Sequence, residues 1–205
     1  REKALGPEHL VTVKTINSLA RVLYAASEFA GARPLYERAL AIREKVLGPE
    51  HPDTAWSLNS LALTLKAMGD LRAARPLFER ALRIQERKLG PDHVDTSSSL
   101  TNLGHVLYLM GDMDGAKPLC ERALAIRDNC LGSEHPETAI ALNNLTCVLV
   151  QMGDLNGSKP LLERSLAILE KTRGAHHPDT ARGLSNLAST VGQMGDYAGA
   201  VTLLH

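Results

Sequence analysis

Leucine and alanine recur along this chain at spacings of three and four, in blocks that come back at a fixed interval. Between Pro52 and Gly69 the apolar positions Leu58, Leu61, Ala62 and Leu65 mark one face of a helix. Between Asp70 and Gly90 a second set, Leu77, Phe78, Ala81, Leu82 and Ile84, marks another. Pro52 suits a first helical turn, where its missing N–H costs nothing, and Asp53 adds a favourable negative charge there. Gly69 offers a left-handed cap, Asp70 caps the next helix at once, and Gly90-Pro91 ends it. So short a connection makes the two helices antiparallel neighbours. Pro34, Pro76, Pro118 and Pro160 fall early in the second helices, where each removes one backbone bond. A late helix start or a small kink is the expectation at those four positions.

The interval is visible in one phrase. Leu-Gly-Pro-Glu-His at Leu5 returns at Leu47, as LGPDH at Leu89, as LGSEH at Leu131 and, eroded, as RGAHH at Arg173, each 42 residues on. Such a period signals stacked units, none able to bury its apolar face without a neighbour. Leu19, Leu61, Leu103, Leu145 and Leu187 form one column of this alignment, and Ala39, Ala81, Ala123 and Ser165 a small one. Large residues beside small ones let helices interdigitate. The expected organisation is a single array over 1–205. It divides into the tail of a preceding repeat (1–9), repeats at 10–47, 48–89, 90–131 and 132–173, and a truncated repeat at 174–205.

Composition narrows the function. Lys plus Arg and Asp plus Glu both number 23, so no basic footprint for nucleic acid exists. Apolar runs are short and broken by charge, which argues against a membrane span. Cys120, Cys130 and Cys147 fall at three different repeat positions, unlike a disulfide framework or a metal site, so a reducing, cytoplasmic setting is expected.

The residues LGPEHPDTA from Leu47, then Gly69-Asp70, then the pattern Pro-Leu-Tyr-Glu-Arg-Ala-Leu from Pro34, with Leu-Asn-Asn-Leu from Leu142, resemble the long form of the tetratricopeptide repeat. Within that family they are similar to the 42-residue subgroup of kinesin light chains and nephrocystin-3. The resemblance spans essentially the whole chain. It implies an all-α, right-handed α-solenoid of antiparallel helical hairpins, with first helices lining a concave groove.

Carried onto this sequence, the family pattern turns two adjacent columns inward: Asn17, Asn59, Thr101, Asn143 and Ser185, and Ser18, Ser60, Asn102, Asn144 and Asn186. Asparagine both donates and accepts, which suits an extended peptide backbone. The same asparagines also fit bonds to neighbouring helices, and both readings stand. One turn away lie Lys14, Trp56 and Arg182 on one side, and Arg21, His105, Tyr24, Lys66 and Tyr108 on the other. These columns hold cations and no carboxylate, which favours an acidic peptide anchored on Trp56, Tyr24 and Tyr108. Kinesin light chains are similar in taking acidic cargo motifs with a Trp.

Other signals lead nowhere. His9, His51, His93, His135 and His177 recur, but successive repeats lie at least ~8–10 Å apart, whereas ligands sit about 2 Å from a zinc ion. Capping or packing in the turn is the better reading. No phosphate loop follows a strand, and Ser, His and Asp positions follow the repeat instead of converging, so neither an enzyme nor a cofactor is expected. Cys147 is expected to face the groove as an inert small residue. The Glu37-Arg38, Glu79-Arg80, Glu121-Arg122 and Glu163-Arg164 steps should form solvated or inter-repeat ion pairs. The sequence thus points to a protein-interaction module binding a peptide or disordered segment. Two alternatives are a sensor array attached to a signalling ATPase and a scaffold that self-associates end to end through uncapped terminal repeats.

Overall fold

The computed structural model describes residues 9–204, and every regular element among them is an α-helix. The expected tail at 1–9 thus lies, His9 apart, outside the described residues, as does His205. One compact unit, ending at Met110, holds α1 (Leu10–Ala25), α2 (Phe29–Leu47), α3 (Pro52–Ala67), α4 (Leu71–Lys88) and α5 (Val94–Leu109). A second, from Gly111, holds α6 (Met113–Leu131), α7 (Pro136–Gln151), α8 (Leu155–Arg173), α9 (Pro178–Gln193) and α10 (Tyr197–Leu204). Within each unit every helix packs on the next in sequence, and α3 also touches α5.

The recurring phrase is the joint between hairpins, and each of its side chains has a task. Gly48, Gly90, Gly132 and Gly174 stand at φ of +94°, +104°, +96° and +90°, a backbone that a Cβ would strain. The histidines then cap the following helices. Nδ1 of His9, His51, His93, His135 and His177 accepts the N–H two residues on, at 3.1 Å in every case. Thr54, Thr96, Thr138 and Thr180, all fully buried, donate their hydroxyls back to the glycine carbonyls at 2.9 Å. Helix ends leave N–H and C=O groups without intrahelical partners, and this phrase supplies some from side chains.

The turn inside each hairpin uses a second device. Gly69, Gly111, Gly153 and Gly195 take positive φ, and Asp70, Asp112, Asp154 and Asp196 accept the N–H three residues on at 2.8–3.0 Å. The first hairpin departs from this. Ser27 stands at φ +60° without being glycine, and Glu28 makes no side-chain cap bond. The prolines do not delay the helices. Pro34, Pro76, Pro118 and Pro160 each occupy the sixth position of a helix already under way. At α4 the reason is plain: Asp70 binds the N–H of Ala73 with its side chain and that of Ala74 with its carbonyl before Pro76 is reached.

Packing follows the columns. Ala55, Leu58, Ala81 and Ile84 form the core of the α3–α4 hairpin, and Leu40 of the preceding hairpin packs against it. Ala139, Leu142, Ile168 and Leu169 do the same for α7–α8, with Leu124 as the visitor. Leu61, Leu103, Leu145 and Leu187 are buried, whereas Leu19 of the same column is 52% exposed, since no hairpin precedes α1 among the described residues. The Glu-Arg steps divide their labour. Glu37 and Glu79 pair with Arg33 and Arg75 one turn back at 2.7 and 2.8 Å. Arg80 reaches Glu44 of the preceding second helix at 2.5 Å, and Arg164 likewise forks onto Asp128. Both arginines also bond a carbonyl of the joint, that of Pro49 or Ser133.

Candidate binding cleft

Within the first unit, α1, α3 and α5 wall a cleft of about 570 Å³, to which α2 contributes Tyr36, α4 Gln85 and the C-cap of α4 Leu89. Arg21, Tyr24, Trp56, Asn59 and Asn102, all expected at a groove, line it together with Ser60 and Leu63. Trp56 is 42% exposed, and the guanidinium of Arg43 lies 5.0 Å from its ring centroid. That arrangement, with the Arg43 bond to Ser57 Oγ at 2.6 Å, fixes the indole. Burial lowers the pKa of Arg43 while Asp53 raises it.

Two carboxylates also line the cleft. Asp53 and Asp95 enter from the first turns of α3 and α5, where the helix N-terminus favours negative charge. The cation columns contain no carboxylate, yet the cleft does: Arg21 and two acids line it, and Arg43 over Trp56 interacts with Asp53. Lys14 lies elsewhere, in a second cleft with Ile16, Leu19, Leu35 and Arg38. Lys66 sets its Nζ 3.2 Å from His105 Nδ1, and the His105 and Tyr108 rings stack at 6.2 Å. Burial pushes the pKa of Lys66 down; His105 is lowered by burial and then by Lys66.

The first asparagine column is divided between packing and the cleft. Asn17 is 95% buried (5% exposed) with its Oδ1 unpartnered. Asn59 donates from Nδ2 to Ser99 Oγ at 2.7 Å, and its Oδ1 is buried without a partner. In the second unit Asn143 Oδ1 accepts the Ser165 hydroxyl at 3.1 Å, which ties α7 to α8. Asn144 and Asn186 are half-buried on α7 and α9. Arg182 is exposed and already held by Asp179 at 2.8 Å. Gln85, which sequence reasoning missed, is 7% exposed, and its Oε1 also lacks a partner. The signal was present: aligned at 42 residues, its column reads Arg43, Gln85, Arg127, Leu169.

Cys147 is exposed on α7, with its thiol pKa raised by burial of the sulfur; Cys120 is buried and pushed up to about 11, chiefly by burial. Neither is activated as a nucleophile. Among the described residues no three His, Cys, Asp or Glu side chains gather as a metal site, and no helix is long and apolar enough to cross a membrane.

The fold and cleft define an all-α protein of repeated helical hairpins. The tetratricopeptide repeat family profile matches residues 11–87, 60–114, 95–171 and 148–204, and the chain belongs to that family. Solved structures agree. The nearly identical TPR-like repeats of a Podosopora anserina protein assigned as a kinesin light chain superpose with a TM-score of 0.82 at 28% identity, over 96% of this chain and 93% of that one. BtubC (BKLC) from P. vanneervenii gives 0.83 at 24% identity, over 94% and 76%. RapI, in its apo form, gives 0.80 at 14% identity over 94% and 67%, a likeness of fold alone. A search of curated protein sequences finds no significant match.

Proposed function

We propose that this chain is a non-enzymatic, cytoplasmic protein-interaction module and that the cleft of α1, α3 and α5 receives an extended peptide segment. The tetratricopeptide fold generally serves protein–protein interaction. The observation that carries the finer reading is the pair of buried, unpartnered amide oxygens, Asn59 Oδ1 and Gln85 Oε1, in one cleft beside Trp56 and Asn102. A buried acceptor without a donor costs about 1–3 kcal/mol, a cost that a ligand N–H removes. Repeats at 10–47, 48–89, 90–131 and 132–173 are the proposed units of the array. An acidic partner has only Arg21 to support it in this cleft, against Asp53 and Asp95.

The test is selection of displayed random peptides on the intact chain, followed by affinity measurement on Trp56→Ala and Asn102→Ala. Peptides that lose about tenfold or more on both variants support the reading. Selected peptides that bind both variants as tightly as the parent place the site elsewhere.

Self-association is a second reading with an observation of its own. Leu19 and Val22 on α1, and Tyr197, Val201 and Leu204 on α10, are large apolar side chains more than half exposed. Light scattering across a hundredfold concentration range decides it: a constant mass removes the scaffold reading, and a rising one supports it.

A further inference from the structure

The 42-residue spacing makes each hairpin a control for the next. One position near the end of each second helix reads Arg43, Gln85, Arg127 and Leu169. The first turn of the helix that follows carries an acid in every case: Asp53, Asp95, Glu137 and Asp179. Arg127 is buried, donates from Nη1 to the Glu137 carbonyl at 2.9 Å and holds the Glu137 carboxylate at 3.5 Å. Arg43 bonds Ser57 at 2.6 Å and lies over Trp56, with Asp53 favouring its charged form. Where Leu169 stands, Asp179 draws its cations from Arg173 at 2.5 Å and Arg182 at 2.8 Å.

In the hairpin of Gln85 no Arg or Lys among the described residues pairs with Asp95. The ion-pair contact of Asp95 is to His93 Nδ1, 3.7 Å away, and that nitrogen already accepts the Asp95 N–H at 3.1 Å. It carries no proton to share with the carboxylate. Gln85 is 93% buried (7% exposed), and its Oε1 has no donor. Asp95, Gln85 and Asn59, whose Oδ1 is equally unpartnered, all line the one cleft together with Trp56 and Tyr24. Where the flanking hairpins carry a guanidinium this one carries a neutral amide, and the Asp95 carboxylate remains.

We propose that this cleft takes an arginine side chain of the bound peptide, whose guanidinium fills at Gln85 and Asp95 the place that Arg43 and Arg127 fill from within the chain. The inference rests on the peptide reading above and specifies one residue of that ligand. A guanidinium brings five N–H donors in a planar fork, enough for a carboxylate and two amide oxygens, and it stacks on aromatic faces. Lysine offers a compact charge with neither the fork nor the plane. The charge balance of the cleft agrees, since Asp53 already interacts with Arg43 and Asp95 is the acid left for an incoming cation.

The probe is Nα-acetyl-arginine methylamide, with the neutral citrulline isostere as control, titrated into the intact isotope-labelled chain and followed by NMR. The Trp56 indole and Gln85 side-chain amide signals should shift with the arginine probe and respond at least tenfold more weakly to citrulline. Gln85→Arg, which installs the internal guanidinium of the neighbouring hairpins, should abolish the response. Asp95→Asn, at an exposed side chain that leaves folding intact, should weaken it about tenfold. Equal response to citrulline, a full response in Gln85→Arg or Asp95→Asn, or no shift at Trp56 and Gln85 overturns the proposal. Failure of the parent reading looks different. Displayed peptides that need Trp56 and Asn102 but show no arginine preference would sink this inference alone, whereas an arginine response with no peptide selected would sink the peptide reading and leave a guanidinium site without its peptide.

Discussion

Replacing Ser27 with Gly and Glu28 with Asp gives the first hairpin the turn that every other hairpin carries. Ser27 holds φ at +60°, where the Cβ of an L-residue crowds the backbone, and Glu28 leaves the N-terminus of α2 without a side-chain cap. A left-handed non-glycine residue costs roughly 1–2 kcal/mol, of which the greater freedom of glycine in the unfolded chain takes back up to about 1. An aspartate cap contributes roughly 0.5–2 kcal/mol. The double variant should therefore gain about 1–2 kcal/mol, and because the residues are adjacent the two effects need not add. Repeat arrays open locally, so amide hydrogen exchange is the sharper assay. Exchange across α1 and α2 should slow about tenfold, with a smaller rise in urea midpoint. Unchanged exchange in both helices would show that the turn is not what limits this hairpin, and the reasoning from repeat to repeat would fail with it.

Other expectations are as direct. Thr138→Val leaves the Gly132 carbonyl without its 2.9 Å donor and should cost about 1 kcal/mol in urea unfolding, whereas Thr202→Val, whose hydroxyl is exposed, should cost almost nothing. Leu100→Ala, at a fully buried position, should cost roughly 2–5 kcal/mol. His105 has a pKa lowered in the folded chain by burial and by Lys66. Its contribution to stability is complete above the unfolded value near ~6.5 and is lost as pH falls below it; His105→Gln should flatten the fall in urea midpoint between about pH 7.5 and 5.5. Iodoacetamide at mildly alkaline pH should label exposed Cys130 first, Cys147 more slowly because its thiol is raised, and buried Cys120 only on unfolding, as mass spectrometry of digests will show.

The fold was legible because its signals are local and repeated. Gly48, His51 and Thr54 act within seven residues of one another, so the phrase and its hydrogen bonds share one register. The prolines misled, since the sequence shows the lost bond at Pro76 but not how firmly Asp70 has already set the helix. The cleft was only half legible. Trp56, Arg21, Tyr24 and Asn102 follow from first-helix columns, but Gln85 arrives from a second helix and Asp95 from a helix end. Reading one face of one helix class cannot register what the neighbouring hairpin inserts. Asn143 shows the converse: its column says inward, and Ser165 takes its amide oxygen for packing.

Because Gly48, His51 and Thr54 complete their seam from within a single short phrase, that seam is indifferent to which hairpin comes next. Copying any 42 consecutive residues, wherever the cut falls, restores a whole seam at the new junction. Gaining or losing one residue inside the phrase strands a carbonyl and an amide instead. Only a change by entire modules leaves every seam closed, and the stretch from the eroded RGAHH at Arg173 to Thr180 still keeps the glycine, histidine and threonine that a seam requires.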